Sequence, residues 1–100
     1  MNKIIFSTTI LILLSLVTMK AQQIEKHSKS GLNYLEYIPK VKTNSEKLPL
    51  LIFLHGMGER GSDLSKVKFH GPPSFLDEKD DFPFICISPQ CPDTLYWNED

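Results

Sequence analysis

"LPLLIFLHGMGERGSD", residues 48–63, is the stretch that decides the fold. Leu48 to Leu54 is a continuous apolar run, broken only by Pro49 near its start, where a strand tolerates proline. Continuity without alternation predicts a strand buried on both faces, the habit of a central strand in a parallel sheet. His55 stops the run, and three of the next six residues are glycine: Gly56, Gly58 and Gly61. Chain reversal alone needs fewer. The excess predicts a backbone that must come close to something, and the loop leaves from the carboxyl end of the strand, where ligands gather in parallel sheets.

Downstream, "FPFICIS" (82–88) repeats the pattern, with a proline near its start and Pro89 after it. About thirty residues separate the two runs, the length of a strand–helix–strand crossover. Within it Ser62 or Asp63 is placed to cap a short helix carrying Leu64, Val67 and Lys68, which Gly71, Pro72 and Pro73 stop. A second helical turn is expected from Pro73 or Ser74 through Phe75 and Leu76. The acidic cluster that follows (Asp77, Glu78, Asp80, Asp81) reads as a solvated surface. Upstream, residues 22–38 are extended around a Ser28-Lys29-Ser30-Gly31 break, which predicts two short antiparallel strands. Pro39 ends the second, and Lys40 to Lys47 is a polar connection with turn-forming Asn44 and Ser45. The fold class is α/β: an antiparallel strand pair, then parallel strands joined by a crossover helix.

The first 21 residues read as a separate unit. Lys3 supplies a basic start, Ile4 to Val17 an apolar core of fourteen residues, and Met19-Lys20-Ala21 a cleavage point. That core is shorter than the about 20 residues a membrane span needs, and no lipid-accepting cysteine follows it. Residues 1–21 are therefore expected to be a signal peptide, with no stable membrane span after cleavage, and residues 22–100 a secreted or periplasmic domain. The 79 remaining residues hold nine basic and twelve acidic side chains, net −3, which argues against nucleic acid as a partner. Cys86 and Cys91 lie along an extended segment and are too far apart to bridge unless the chain doubles back. With His55 and His70 they match none of the usual metal-ligand spacings, so no metal is expected.

Three chemistries use glycine-rich loops after strands. A phosphate cradle requires a lysine followed by serine or threonine at fixed offsets, which are lacking here. "GMGERG" (56–61) matches the glycine spacing of a dinucleotide fingerprint. Its acidic partner would be Asp77 or Glu78, which lie before the second strand, not at its end, and an exported protein is an improbable nicotinamide enzyme. The third chemistry is the oxyanion hole of an esterase-type serine hydrolase, for which His-Gly-x-Gly after a buried strand is the recognised position.

On these residues the chain resembles the α/β-hydrolase family from about Gly31 onward. "HGMGERGSD", "HGPP" (70–73) and "SPQCP" (88–92) with Trp97 are, more narrowly, similar to secreted bacterial esterases related to feruloyl esterases, polyhydroxybutyrate depolymerases and the predicted peptidase or phospholipase/carboxylesterase group. The resemblance implies that the Met57 backbone N–H is one oxyanion donor, with His55, Gly56 and Gly58 shaping its loop. It places the catalytic base near the end of the family's chain, not at His55. It implies a covalent acyl-serine intermediate, a small-molecule or polymeric ester as substrate, and no cofactor. A turn with Met57 packed inward is the plainer alternative. Trp97 fits either a substrate wall or the core, His70 a loop or cap residue, and Glu59 and Arg60 either a mutual pair or contacts to the next loop.

The family's nucleophile motif, G-x-S-x-G, is absent. Ser62, Ser65, Ser74 and Ser88 lack flanking glycines, and no histidine follows His70. Nucleophile, acid and base are thus not in this chain, which is expected to be the N-terminal part of a secreted serine hydrolase, as a fragmentary gene model or a truncated product, inactive alone. The alternative is a small non-catalytic exported binding module whose glycine loop grips a carboxylate or a sugar. A continuation carrying G-x-S-x-G, then Asp and His, separates the two.

Overall fold

Alternation is clearest in Asn33–Tyr37, where Leu35 and Tyr37 are fully buried and the residues between them are not. This strand, β2, follows β1 (Ile24–His27), to which it pairs antiparallel with Ile24 opposite Glu36 and His27 opposite Asn33. Gly31 sits in the connecting turn, where its N–H reaches Ser28 O at 3.2 Å. The computed structural model describes residues 22–40 and 47–98. The signal peptide expected over residues 1–21, and the turn expected at Asn44 and Ser45, lie outside the described residues.

β3 (Leu50–Ile52) and β4 (Ile85–Pro89) are parallel, with Leu50 opposite Ile85 and Ile52 opposite Ile87. β4 also pairs antiparallel with β2, so the four-stranded mixed sheet runs β1-β2-β4-β3. The connection from β3 to β4 lies on one face. Its first helical piece, Leu64–Phe69, is a 3-10 helix. Leu64 and Val67, three residues apart, then stand on one side of a three-residue turn, and both are buried beside Leu35. Asp63 caps it by accepting from Ser65 N–H at 3.1 Å, and His70 is its C-cap.

Gly71 carries a φ of +65°, and a Cβ there would lie 2.5 Å from the Phe53 ring, so both conformation and space demand glycine. A single α-turn, α1 (Pro73–Leu76), follows and buries Leu76 against Tyr37 and Cys86. α1 is tied back to the start of the domain. Asp77 accepts from Gln23 N–H at 2.8 Å and pairs with Lys68 at 2.7 Å. Burial opposes the Asp77 charge, but the Lys68 ammonium and the Gln23 N–H groups outweigh it and hold the carboxyl below its ordinary range.

The apolar run of β3 is half-buried on one face, through Leu51 and Phe53, and exposed on the other, contrary to the expectation from its continuity. Leu50, Ile52 and Leu54 remain 58, 60 and 53% exposed. The helical segments Leu64–Phe69 and Pro73–Leu76 pack on the opposite face, and β3 is the sheet edge among the described residues. Cys86 and Cys91 are free thiols, and burial pushes the Cys86 thiol upward against the opposing hydrogen bond from Ser88. Among the described residues no helix is long and apolar enough to cross a membrane.

Candidate active site

Parallel pairing brings the carboxyl ends of β3 and β4 to the same edge of the sheet, so residues 53–61 and 90–98 form adjacent loops. Four hydrogen bonds from residues of the second loop bind the two together. Gln90 Nε2 donates to Glu59 O at 2.9 Å and to Asp63 O at 2.7 Å, and the Trp97 indole N–H donates to His55 O at 2.8 Å. The fourth, Cys91 N–H to His55 Nε2 at 2.9 Å, fixes the tautomer: Nε2 is the acceptor, so Nδ1 carries the proton and donates to Gly56 O. In return, Gly61 N–H reaches Cys91 O at 2.9 Å. The imidazole is buried, at 3% exposure, with the Trp97 ring 4.9 Å away. Both ring nitrogens are therefore occupied by backbone groups. This arrangement suits a brace and leaves His55 no lone pair for a substrate proton.

That brace acts on one peptide. The Gly56 carbonyl takes the His55 proton, and its 3-10 turn closes through Glu59 N–H at 3.4 Å. The other end of the same peptide is the Met57 N–H, which opens the 3-10 turn Met57–Glu59 and has no hydrogen-bond partner among the described residues. Beside it lies a cleft of about 140 Å³, lined by His55, Gly56, Met57 and Arg60 from one loop and Cys91, Tyr96 and Trp97 from the other. Complete ligand pockets start near about 300 Å³. The cleft among the described residues is thus smaller than a complete ligand pocket.

Of the residues singled out in the sequence, His55, Gly56, Met57 and Trp97 meet at the cleft, and Gly58 stays outside its lining. Among the loop glycines a local reason holds for Gly61, whose φ is +135°; a Cβ on Gly56 would meet the Glu59 carboxylate in ordinary contact at 3.4 Å, and one on Gly58 would meet nothing within 4 Å. Glu59 and Arg60 do not pair with each other. Glu59 is buried and meets His70 Nε2 at 3.4 Å, while Arg60 donates to Met57 O and Leu95 O and lies over the Tyr96 ring. Gln90 was not foreseen as the clamp of the loop. Its only signal is a polar side chain between Pro89 and Pro92 directly after an apolar strand. Among the described residues no three His, Cys, Asp or Glu side chains converge as a metal site.

No family model and no curated protein matches the chain. In structure it is similar to an esterase. A solved structure of a thermostable esterase aligns with a TM-score of 0.51 and 25% identity, covering 82% of this chain and 24% of the esterase. The chain therefore spans about a quarter of that esterase's length. The likeness supports a partial α/β, esterase-like fold and a hydrolase-like segment.

Proposed function

We propose that residues 22–98 belong to the N-terminal part of an exported serine hydrolase of the carboxylesterase or phospholipase type, and that the loop after β3 supplies half of its oxyanion hole. The observation that carries this reading is the Gly56–Met57 peptide, whose carbonyl is gripped by His55 and whose N–H, beside the cleft, has no partner among the described residues. The structural likeness to a thermostable esterase supports it further.

In the proposed reaction a serine oxygen, from sequence beyond Asp100, adds to the acyl carbonyl carbon of an ester as its hydroxyl proton passes to a histidine base. The carbonyl electron pair moves onto oxygen, and the Met57 N–H receives that charge in a site already oriented for it. Collapse expels the alcohol, protonated by that histidine, also from beyond Asp100, and water then releases the acid from the acyl-serine. Trp97 and Tyr96 form an aromatic wall against the substrate.

The test is to express the complete reading frame and treat the product with a fluorophosphonate probe. A single labelled serine within G-x-S-x-G is expected. A folded product with no labelled serine would sink the proposal and favour the exported binding module.

A further inference from the structure

Arg60 stands in the cleft wall, and among the described residues no acid neutralises its charge. Its Nε–H donates to Met57 O at 3.1 Å, Nη1 donates to Leu95 O at 3.2 Å, and the guanidinium carbon lies 4.8 Å from the Tyr96 ring centre. Both acceptors are neutral carbonyls, and no carboxylate among the described residues pairs with it. A guanidinium carries five N–H donors, so most of its hydrogen-bonding capacity is still unused. The side chain is held at three points, so engaging a ligand would cost little further ordering. Around it the lining side chains Met57, Tyr96 and Trp97 are apolar or aromatic, which weakens the screening of its charge.

We propose that Arg60 is a specificity-determining residue and that the preferred substrates are esters bearing a free carboxylate. The acid end binds the Arg60 guanidinium while the ester carbonyl lies at Met57 N–H. Arginine forks match a carboxylate in geometry as well as in charge. This rests on the esterase reading above. A purely structural Arg60, joining the loops at Met57 and Leu95, is the competing explanation, and it would treat charged and neutral substrates alike.

The product of the complete reading frame is assayed with mono-p-nitrophenyl adipate and with p-nitrophenyl heptanoate, a neutral ester of similar length, after subtracting spontaneous hydrolysis. The ratio of the two kcat/KM values is the readout. It is expected to favour the adipate ester, and to fall about tenfold to hundredfold in Arg60→Gln, the range for one charge-assisted hydrogen bond. Arg60→Lys is expected to keep part of the preference. An unchanged ratio in Arg60→Gln, or a wild-type preference for the neutral ester, overturns the inference and leaves the esterase reading standing. Hydrolysis of neither ester, with no serine labelled by fluorophosphonate, overturns both.

Discussion

Replacing Met57 by proline removes the proposed donor and almost nothing else. Gly56 has φ −82° and ψ −174°, the extended region that a residue before proline prefers. Met57 is the first residue of its 3-10 turn, a position that tolerates proline, and its N–H has no partner to lose among the described residues. The change in fold stability is thus expected to stay within about 1 kcal/mol. Loss of one oxyanion donor lowers kcat by about 10²–10³, or about 2.7–4 kcal/mol of transition-state stabilisation. Met57→Ala is the control. The side chain is 65% exposed, so its removal should leave both kcat and stability near wild type. The assay is steady-state hydrolysis of p-nitrophenyl esters by the product of the complete reading frame, with melting temperatures measured alongside. The loss should fall on kcat more than on KM, because the donor acts on charge present only in the transition state. A proline variant that melts with wild type and turns over at close to the wild-type rate would refute the assignment.

Three further outcomes are expected in the same protein. His55→Ala strands the buried Cys91 N–H, at about 1–3 kcal/mol, and loses the Trp97 ring contact, at about 0.5–1.5; urea unfolding should register roughly 2–4 kcal/mol. His55→Gln, whose amide oxygen can accept from Cys91 N–H, should recover part of that loss and retain turnover; a stable but wholly inactive His55→Gln would mean that the ring does more than brace. Gly71→Ala should cost about 1–2 kcal/mol for its left-handed backbone and about 1–3 for the clash with Phe53, and shortening Phe53 to leucine should relieve only the second part in a double-mutant cycle. The Asp77 carboxyl is held below its ordinary range, so its contribution is complete above the unfolded value of about 3.9 and fades as pH falls below it through the folded value. Asp77→Asn should flatten this acid limb of the urea midpoint against pH, and an unaltered limb would show that the ties to Lys68 and Gln23 contribute nothing.

Much of the fold was legible because its signals are local. Gly31 in a break between extended segments announced the β1–β2 hairpin, and continuous apolar runs announced the parallel pair. Ser62 or Asp63 before Leu64 marked a cap, which the fold gives to Asp63, and Pro73 or Ser74 the start of α1, which falls at Pro73. The type of the first helical piece was not legible. Leu64 and Val67, three residues apart, share a face in a 3-10 helix as in an α-helix, so their spacing does not distinguish the two. Continuity of the apolar run in β3 predicts burial on both faces, yet Leu50 and Ile52 lie exposed. Apolarity records what a strand can tolerate, and cover depends on which other elements reach it.

At the site, the sequence alone determined that His55, Gly56 and Met57 follow the apolar run that carries β3, since adjacency in the chain is adjacency in space. It also determined that no triad motif occurs within these hundred residues. Only tertiary structure decided that Cys91 N–H meets His55 Nε2 across 36 positions, that Gln90 clamps Glu59 and Asp63, and that Arg60 reaches Leu95 across 35. Those bonds join two loops made neighbours by the parallel pairing of β3 with β4. No local pattern encodes such a meeting, because it depends on where the sheet sets two distant parts of the chain.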